Sequence, residues 1–196
     1  MNKIGVTGGI NSGKTTVCKV FECLGVPVFY SDIQAKMCMQ ENLTLKKEII
    51  SVFGENAYID DKPNAAYLKG IFEDAQQLKT MNRLVHPKVE EKFQHWCKGK
   101  THPYLLKESA ILLEEGLAEK LDGIILVVAP LDNRIEWLKQ RQNITIEDFN
   151  KRMFQQWTDE EKRKKANWVI ENNHQKSLME QVLAIHNLLK TKTPQE

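Results

Sequence analysis

The chain has 196 residues, enough for one α/β domain with a modest insertion, and 41% of them are apolar, so a real core can be buried. Charged residues make up 28% but the net charge is only +2, which excludes the basic excess of a dedicated nucleic-acid binder. The apolar stretch ahead of Gly8 is too short for a leader and no run is long enough to span a bilayer, so the expectation is a soluble cytoplasmic protein with no membrane partner.

Residues 4–7 are a short β-branched run ending in glycines and read as a buried first strand. Residues 12 to about 22 read as a helix with an apolar stripe of Val17, Val20, Phe21 and Leu24, stopped by Gly25. Residues 26–30 look like a second strand closed by Ser31-Asp32. Strand, glycine loop, helix and strand in that order form a βαβ unit.

From residue 33 to about 94 strand-like runs vanish and helical patterns dominate. Leu45, Ile49, Ile50 and Phe53 recur at helical spacing before Gly54, and residues 60–64 carry turn chemistry. Leu68, Ile71 and Phe72 suggest a short helix, and residues 75–96 fit one long helix that Pro87 kinks or breaks. Strands return at 104–107 and at 123–129, the second a continuous apolar run as expected of a parallel strand covered on both faces. A helix follows at 134–141, then a charged helical stretch at 144–163, a last strand at 168–170 and an amphipathic helix at 177–189. The tail at 190–196 reads as frayed. Cys18, Cys23, Cys38 and Cys97 form no CxxC pair and no zinc-spaced cluster; they read as reduced thiols, with Cys18 and Cys23 on a helix near the core.

Residues 8–15, Gly-Gly-Ile-Asn-Ser-Gly-Lys-Thr, fit G-x-x-x-x-G-K-[ST] at every required position. The chemistry needs that spacing. Loop amides must turn inward around an anion, and a Cβ at the tight positions would block them. The following helix adds its positive end. Lys14 places a point charge on the β/γ-phosphates and Thr15 offers a hydroxyl to magnesium. The match follows a predicted strand and opens a predicted helix, the context that separates it from chance. It implies nucleoside-triphosphate binding and leaves the phosphate acceptor open.

Asp32 ends the second strand at the presumed ligand edge of the sheet. It could address the proton of an acceptor hydroxyl or hold magnesium through water; it is also a good N-cap for the helix that follows. Glu108, at the end of the third strand, is a second acid at that edge, either orienting substrate or merely solvating the cleft.

Longer blocks carry a resemblance. IGVTGGINSGKTTV is followed by LGVPVFYSD, then IFEDAQQLKTMNRLVHPKV, ESAILLEEG and RMFQQWTDEEKRKKANWVIENN. In this order they resemble the dephospho-coenzyme A kinase family, over residues 3 to about 189. The resemblance implies a P-loop three-layer α/β fold with a parallel five-stranded sheet, and transfer of the ATP γ-phosphate to the ribose 3′-hydroxyl of dephospho-coenzyme A, with Mg2+. It implies one kinase domain: a core at 1–32, 101–140 and 166–196, a helical substrate-binding insertion at 33–100 and a lid at 141–165. ATP contacts are implied at Gly9, Ile10, Asn11, Ser12, Gly13, Lys14, Thr15 and Thr16, with Arg152 on the lid and Asn172 beside the base. Lys14, Asp32 and Arg141 would be catalytic, Asp32, His86 and Glu108 would bind the acceptor, and Thr15 would ligate the metal. A structural His-Pro is the plainer reading of His86, a turn asparagine that of Asn172, and a solvated helix face that of most Lys and Arg in 141–165.

Four departures stand out. Asn11 replaces the family's usual glycine, though Asn tolerates positive φ. Residues 63–66 lack the usual arginine, Trp137 replaces another, and Asn167 replaces an aspartate. A nucleoside or nucleotide kinase of the same fold is the competing reading. A guanine-reading switch would carry N-K-x-D, which the sequence lacks. The expected partners are small molecules, with no nucleic acid, and a monomer or weak homo-oligomer.

Overall fold

The computed structural model describes residues 1–141 and 145–191. In chain order the elements are β1 (Asn2–Thr7), α1 (Lys14–Cys23), β2 (Val28–Tyr30), α2 (Ser31–Glu41), α3 (Leu43–Phe53), β3 (Tyr58–Ile59), β4 (Lys62–Pro63), α4 (Ala65–Glu73), α5 (Ala75–Cys97), β5 (Tyr104–Glu108), β6 (Gly123–Val128), α6 (Leu131–Arg141), α7 (Ile146–Phe154), α8 (Asp159–Arg163), β7 (Trp168–Glu171) and α9 (Leu178–Thr191). The chain divides into two compact units, Met1–Tyr30 with Thr101–Glu196, and Ser31–Lys100.

The first unit is built on a five-stranded sheet in the order β2-β5-β1-β6-β7, every pairing parallel. β5 and β6 are buried at every position, which is why they read as unbroken apolar runs rather than alternating ones. Phe21 and Val17 of α1 pack with Ile4, Val6, Tyr104, Ile125 and Ile170 of the sheet and with Val182, Ile185 and Leu189 of α9. Each large side chain buried there contributes roughly 1.5–3 kcal/mol. Tyr104 meets Phe21 edge-on, and its phenol lies 2.7 Å from Nδ1 of His186, so this polar group in the core is partnered.

The second unit is almost wholly helical. Met81, Val85, Val89, Phe93 and Cys97 recur every fourth residue and form the buried stripe of α5. α5 runs through Pro87 as one helix, so the proline neither breaks nor ends it; the Arg83 carbonyl simply loses its helical donor. Strand character does not vanish entirely: β3 and β4 pair antiparallel across Asp60 and Asp61, whose φ values of 47° and 64° suit a tight primed turn. Tyr58 donates from its hydroxyl to the Met39 carbonyl at 2.7 Å.

Several boundaries differ from the sequence reading for local reasons. α1 starts at Lys14, two residues late, because Gly13 is left-handed (φ 92°). Gly25 ends that region at φ 82°, as expected of a C-terminal glycine. The stretch 144–163 is two helices, α8 being started by a capping box in which Thr158 and Glu161 exchange hydrogen bonds. Cys18 is buried in the core, but Cys23 is exposed.

Candidate active site

β1 delivers the chain to residues 8–13, which turn sharply and enter α1. Two glycines are required by space. A side chain at Gly8 would strike the Val127 carbonyl, and one at Gly13 would strike the Asn172 amide while holding φ 92°. Asn11, standing for the family's glycine, is left-handed at φ 58°, and its side chain donates to the Arg134 carbonyl at 2.6 Å. The replacement therefore keeps the backbone shape and adds a tie.

No side chain caps the start of α1, and no acidic residue lies in its first turn. Its first amides and its positive end are thus left to an anion. Thr15 and Thr16 are exposed on that turn. Lys14 is buried, and its Nζ donates to the carbonyls of Gly8 and Gly9, both at 3.1 Å. Ser12 is buried, and its carbonyl accepts from the Asn172 side chain at 3.0 Å. Asn172 also donates its backbone N–H to Val128. The structure thus gathers residues 9–16 and Asn172 into one cluster, with the Asn172 amide used in holding the loop.

The segment after α7 leans on the same loop. Gln156 accepts from the Ile10 amide at 2.8 Å and donates to the Ala110 carbonyl at 3.4 Å. Lys162 is fully buried; it donates to the Ala110 carbonyl at 3.1 Å and pairs with Glu114 at 2.7 Å. The Trp157 amide donates to the same Glu114 oxygen. Lys162 thus lies outside the solvated majority expected of the Lys and Arg in 141–165. Its capping box, Thr158-x-x-Glu161, was the signal that fixes the helix start and hence the face it presents. Arg134, also unforeseen, is buried four residues before buried Leu138, an inward spacing that could have marked it.

Glu108 ends β5 opposite Val6 on β1 and Tyr30 on β2, and is only 5% exposed. It is not an acid that merely solvates a cleft. Burial, then the charges of Glu108 and Glu22, hold the Cys18 thiol well above its ordinary range despite Lys14, so Cys18 stays protonated. Burial likewise raises the Tyr30 phenol, helped by its hydrogen bond to Glu22 at 2.9 Å.

Other expected residues fall elsewhere. Asp32 is exposed in the first turn of α2; because the helix already begins at Ser31, Asp32 is not its N-cap. His86 is half-buried on α5. Arg152 is exposed on α7. Arg141 closes α6, but its side chain lies outside the described residues. Asn64 caps α4 by accepting from Tyr67 where an arginine was missed. Trp137 meets His174 edge-on at 6.3 Å, and Asn167 accepts from the Ile124 amide at 2.8 Å at the rim of the sheet.

A family model described as dephospho-CoA kinase matches residues 2–177. A dephospho-CoA kinase of Bacteroides fragilis is 37% identical over 185 residues, covering 93% of this chain and 90% of that protein. One from Salinibacter ruber is 39% identical, covering 88% and 89%. A crystal structure of a Thermus thermophilus protein superposes with a TM-score of 0.86 at 30% identity, over 97% of this chain and 98% of that one.

Proposed function

The chain belongs to the dephospho-CoA kinase family, and from that premise we propose that it moves the γ-phosphate of ATP to the ribose 3′-hydroxyl of dephospho-CoA, giving CoA and ADP. The observation that carries this reading is the phosphate loop, closed by Gly13 against the uncapped start of α1, in a chain that matches the family almost throughout.

Phosphoryl transfer asks the protein for position and charge rather than covalent chemistry. The uncapped amides at the start of α1 cradle the phosphates. Lys14 exchanges its two carbonyl acceptors for phosphate oxygens, a stronger charge-assisted contact. Among the described residues no group of three His, Cys, Asp or Glu side chains could hold a metal. The Thr15 hydroxyl fits Mg2+, which takes few protein ligands and keeps phosphate oxygens and waters. Held there, Mg2+ would supply positive charge to the phosphates.

Asp32 orients or takes the proton of the acceptor hydroxyl, a role its exposure on the first turn of α2 permits. Glu108 and His86 bind the acceptor, Arg141 and Arg152 spread the charge of the transferring group, and Asn172 lies beside the base. Residues 33–100 are the acceptor-binding insertion and residues 141–165 the lid, within one kinase domain; that Ser31–Lys100 forms a compact unit of its own supports the insertion. The enzyme works on small molecules in the cytoplasm, and no helix among the described residues is long and apolar enough to cross a membrane.

The test is ADP release from ATP and Mg2+ with and without dephospho-CoA. Release that depends on the acceptor and yields CoA supports the reading. Nucleotide binding with an inert acceptor overturns it in favour of a nucleoside or nucleotide kinase. Asp32→Asn should leave ADP affinity unchanged and lower kcat on the order of 10²-fold, the lower range for a lost general base; unchanged turnover would remove Asp32 from the mechanism.

A further inference from the structure

One buried cation beside the phosphate loop is not used by the reaction described above. Arg134 lies in the first turn of α6 and is 7% exposed. Its Nε donates to the Ala129 carbonyl at 2.8 Å, and its Nη2 pairs with the Asp159 carboxylate at the start of α8. Its own carbonyl accepts from the Asn11 side chain. The remaining nitrogen, Nη1, packs on the backbone of Gly9: a Cβ there would collide with it, and the nearest atoms all belong to Arg134.

A guanidinium bonded at Nε and Nη2, with Nη1 packed against Gly9, is a rigid plane. Burying such a pair costs nearly as much solvation as the attraction returns, so an ion pair of this kind is weak support for stability and stronger support for geometry. Gly9 has no left-handed φ that forbids a side chain. What requires glycine there is the arginine beneath it.

We propose that Arg134 is a positioning residue of the nucleotide site. It fixes the height of the phosphate loop at Gly9 and ties that loop, through Asp159, to α8. The amides that follow Gly9 keep their pitch toward the phosphates because the loop rests on this plane. The inference rests on the kinase reading only for the meaning of the site; its test needs no acceptor.

The test is a double-mutant cycle on ADP affinity, measured by titration calorimetry for Gly9→Ala, Arg134→Ala and both together, with urea unfolding of each variant. Each single change should weaken ADP binding about tenfold, the scale of a lost contact to a charged group. The double variant should bind several-fold better than Gly9→Ala alone, because the methyl enters the space the arginine leaves. Arg134→Lys, charged but without the fork, should stay close to Arg134→Ala. Additive losses in the double variant would overturn the proposal. So would Arg134→Ala losing stability while its ADP affinity and its KM for ATP stay at wild-type values, since the arginine would then be a brace only. Loss of acceptor-dependent turnover in the wild-type enzyme would remove the acceptor assignment and leave this cycle to stand or fall by itself.

Discussion

Residues 8–15 and residues 156–162 both bear on the proposed nucleotide site, and they do so by opposite means. The loop works through backbone: left-handed φ at Asn11 and Gly13, amides left uncapped at the start of α1, one lysine folded over the carbonyls of Gly8 and Gly9. The later segment works through side chains: Gln156 on Ile10, Asp159 on Arg134, Lys162 on Glu114. A backbone device depends on residues adjacent in sequence, so a spacing rule captures it. A side-chain device joins residues such as Ile10 and Gln156, 146 positions apart, and no local pattern contains both. The difference also divides the energetics. Damage to the loop should strike nucleotide handling, and damage to the segment should strike stability first, reaching the nucleotide only where, as at Gln156, a side chain holds the loop.

The largest effect expected is on the segment side. Lys162→Met leaves the Glu114 carboxylate buried, with Oε2 already lacking a hydrogen-bond partner among the described residues. Stability in urea should fall by about 3–5 kcal/mol, as for other buried pairs broken from one side. Lys162→Met with Glu114→Leu should recover most of that loss; equal loss in the double variant would mean the pair is not what holds α8.

Lys14→Ala attacks the loop side. We expect kcat/KM for ATP to fall on the order of 10²–10³-fold, the cost of one preorganised charge on a developing oxyanion, with little change in the urea midpoint. A loss of stability equal to that of Lys162→Met would erase the contrast between the two regions.

How much of this was legible in the sequence follows the same line. The five strands and the phosphate loop could be read because parallel strands buried on both faces are continuous apolar runs and because the loop is local. The left-handed Asn11 was legible because it stands where the family usually has glycine and Asn tolerates positive φ. The start of α2 was not: Ser31 and Asp32 look like caps, yet β2 runs directly into the helix and puts Asp32 inside its first turn. Lys162 stands in a run of charges that looks solvated, and only tertiary packing against Glu114 and Ala110 buries it. Arg134, Tyr104 and His186 are hidden for the same reason, since their partners lie on other elements.

Smaller effects sharpen the comparison. Gln156→Ala removes the bond to the Ile10 amide and should cost about 1 kcal/mol, seen as a several-fold rise in KM for ATP with kcat held. An unchanged KM would confine the segment to a stabilising role.

The smallest effect lies far from the loop. Burial, then repulsion from Lys190 and His102, lowers the pKa of His186 below its ordinary 6.5. The folded chain therefore binds this proton less readily than the unfolded chain. The stability contribution is complete above about 6.5 and is lost as pH falls through the lowered folded value. Tm should drop between pH 7.5 and 5.5 in the wild type and drop less in His186→Gln. Parallel slopes would assign the acid sensitivity to other groups.

The central claim is where the phosphate goes. Incubating the enzyme with ATP, Mg2+ and dephospho-CoA and reading the product by 31P NMR tests it most directly. A new phosphomonoester resonance coupled to the ribose H3′ proton, with one ADP formed per ester, is the predicted result. ADP without a new ester, or an ester at another hydroxyl, would contradict the account.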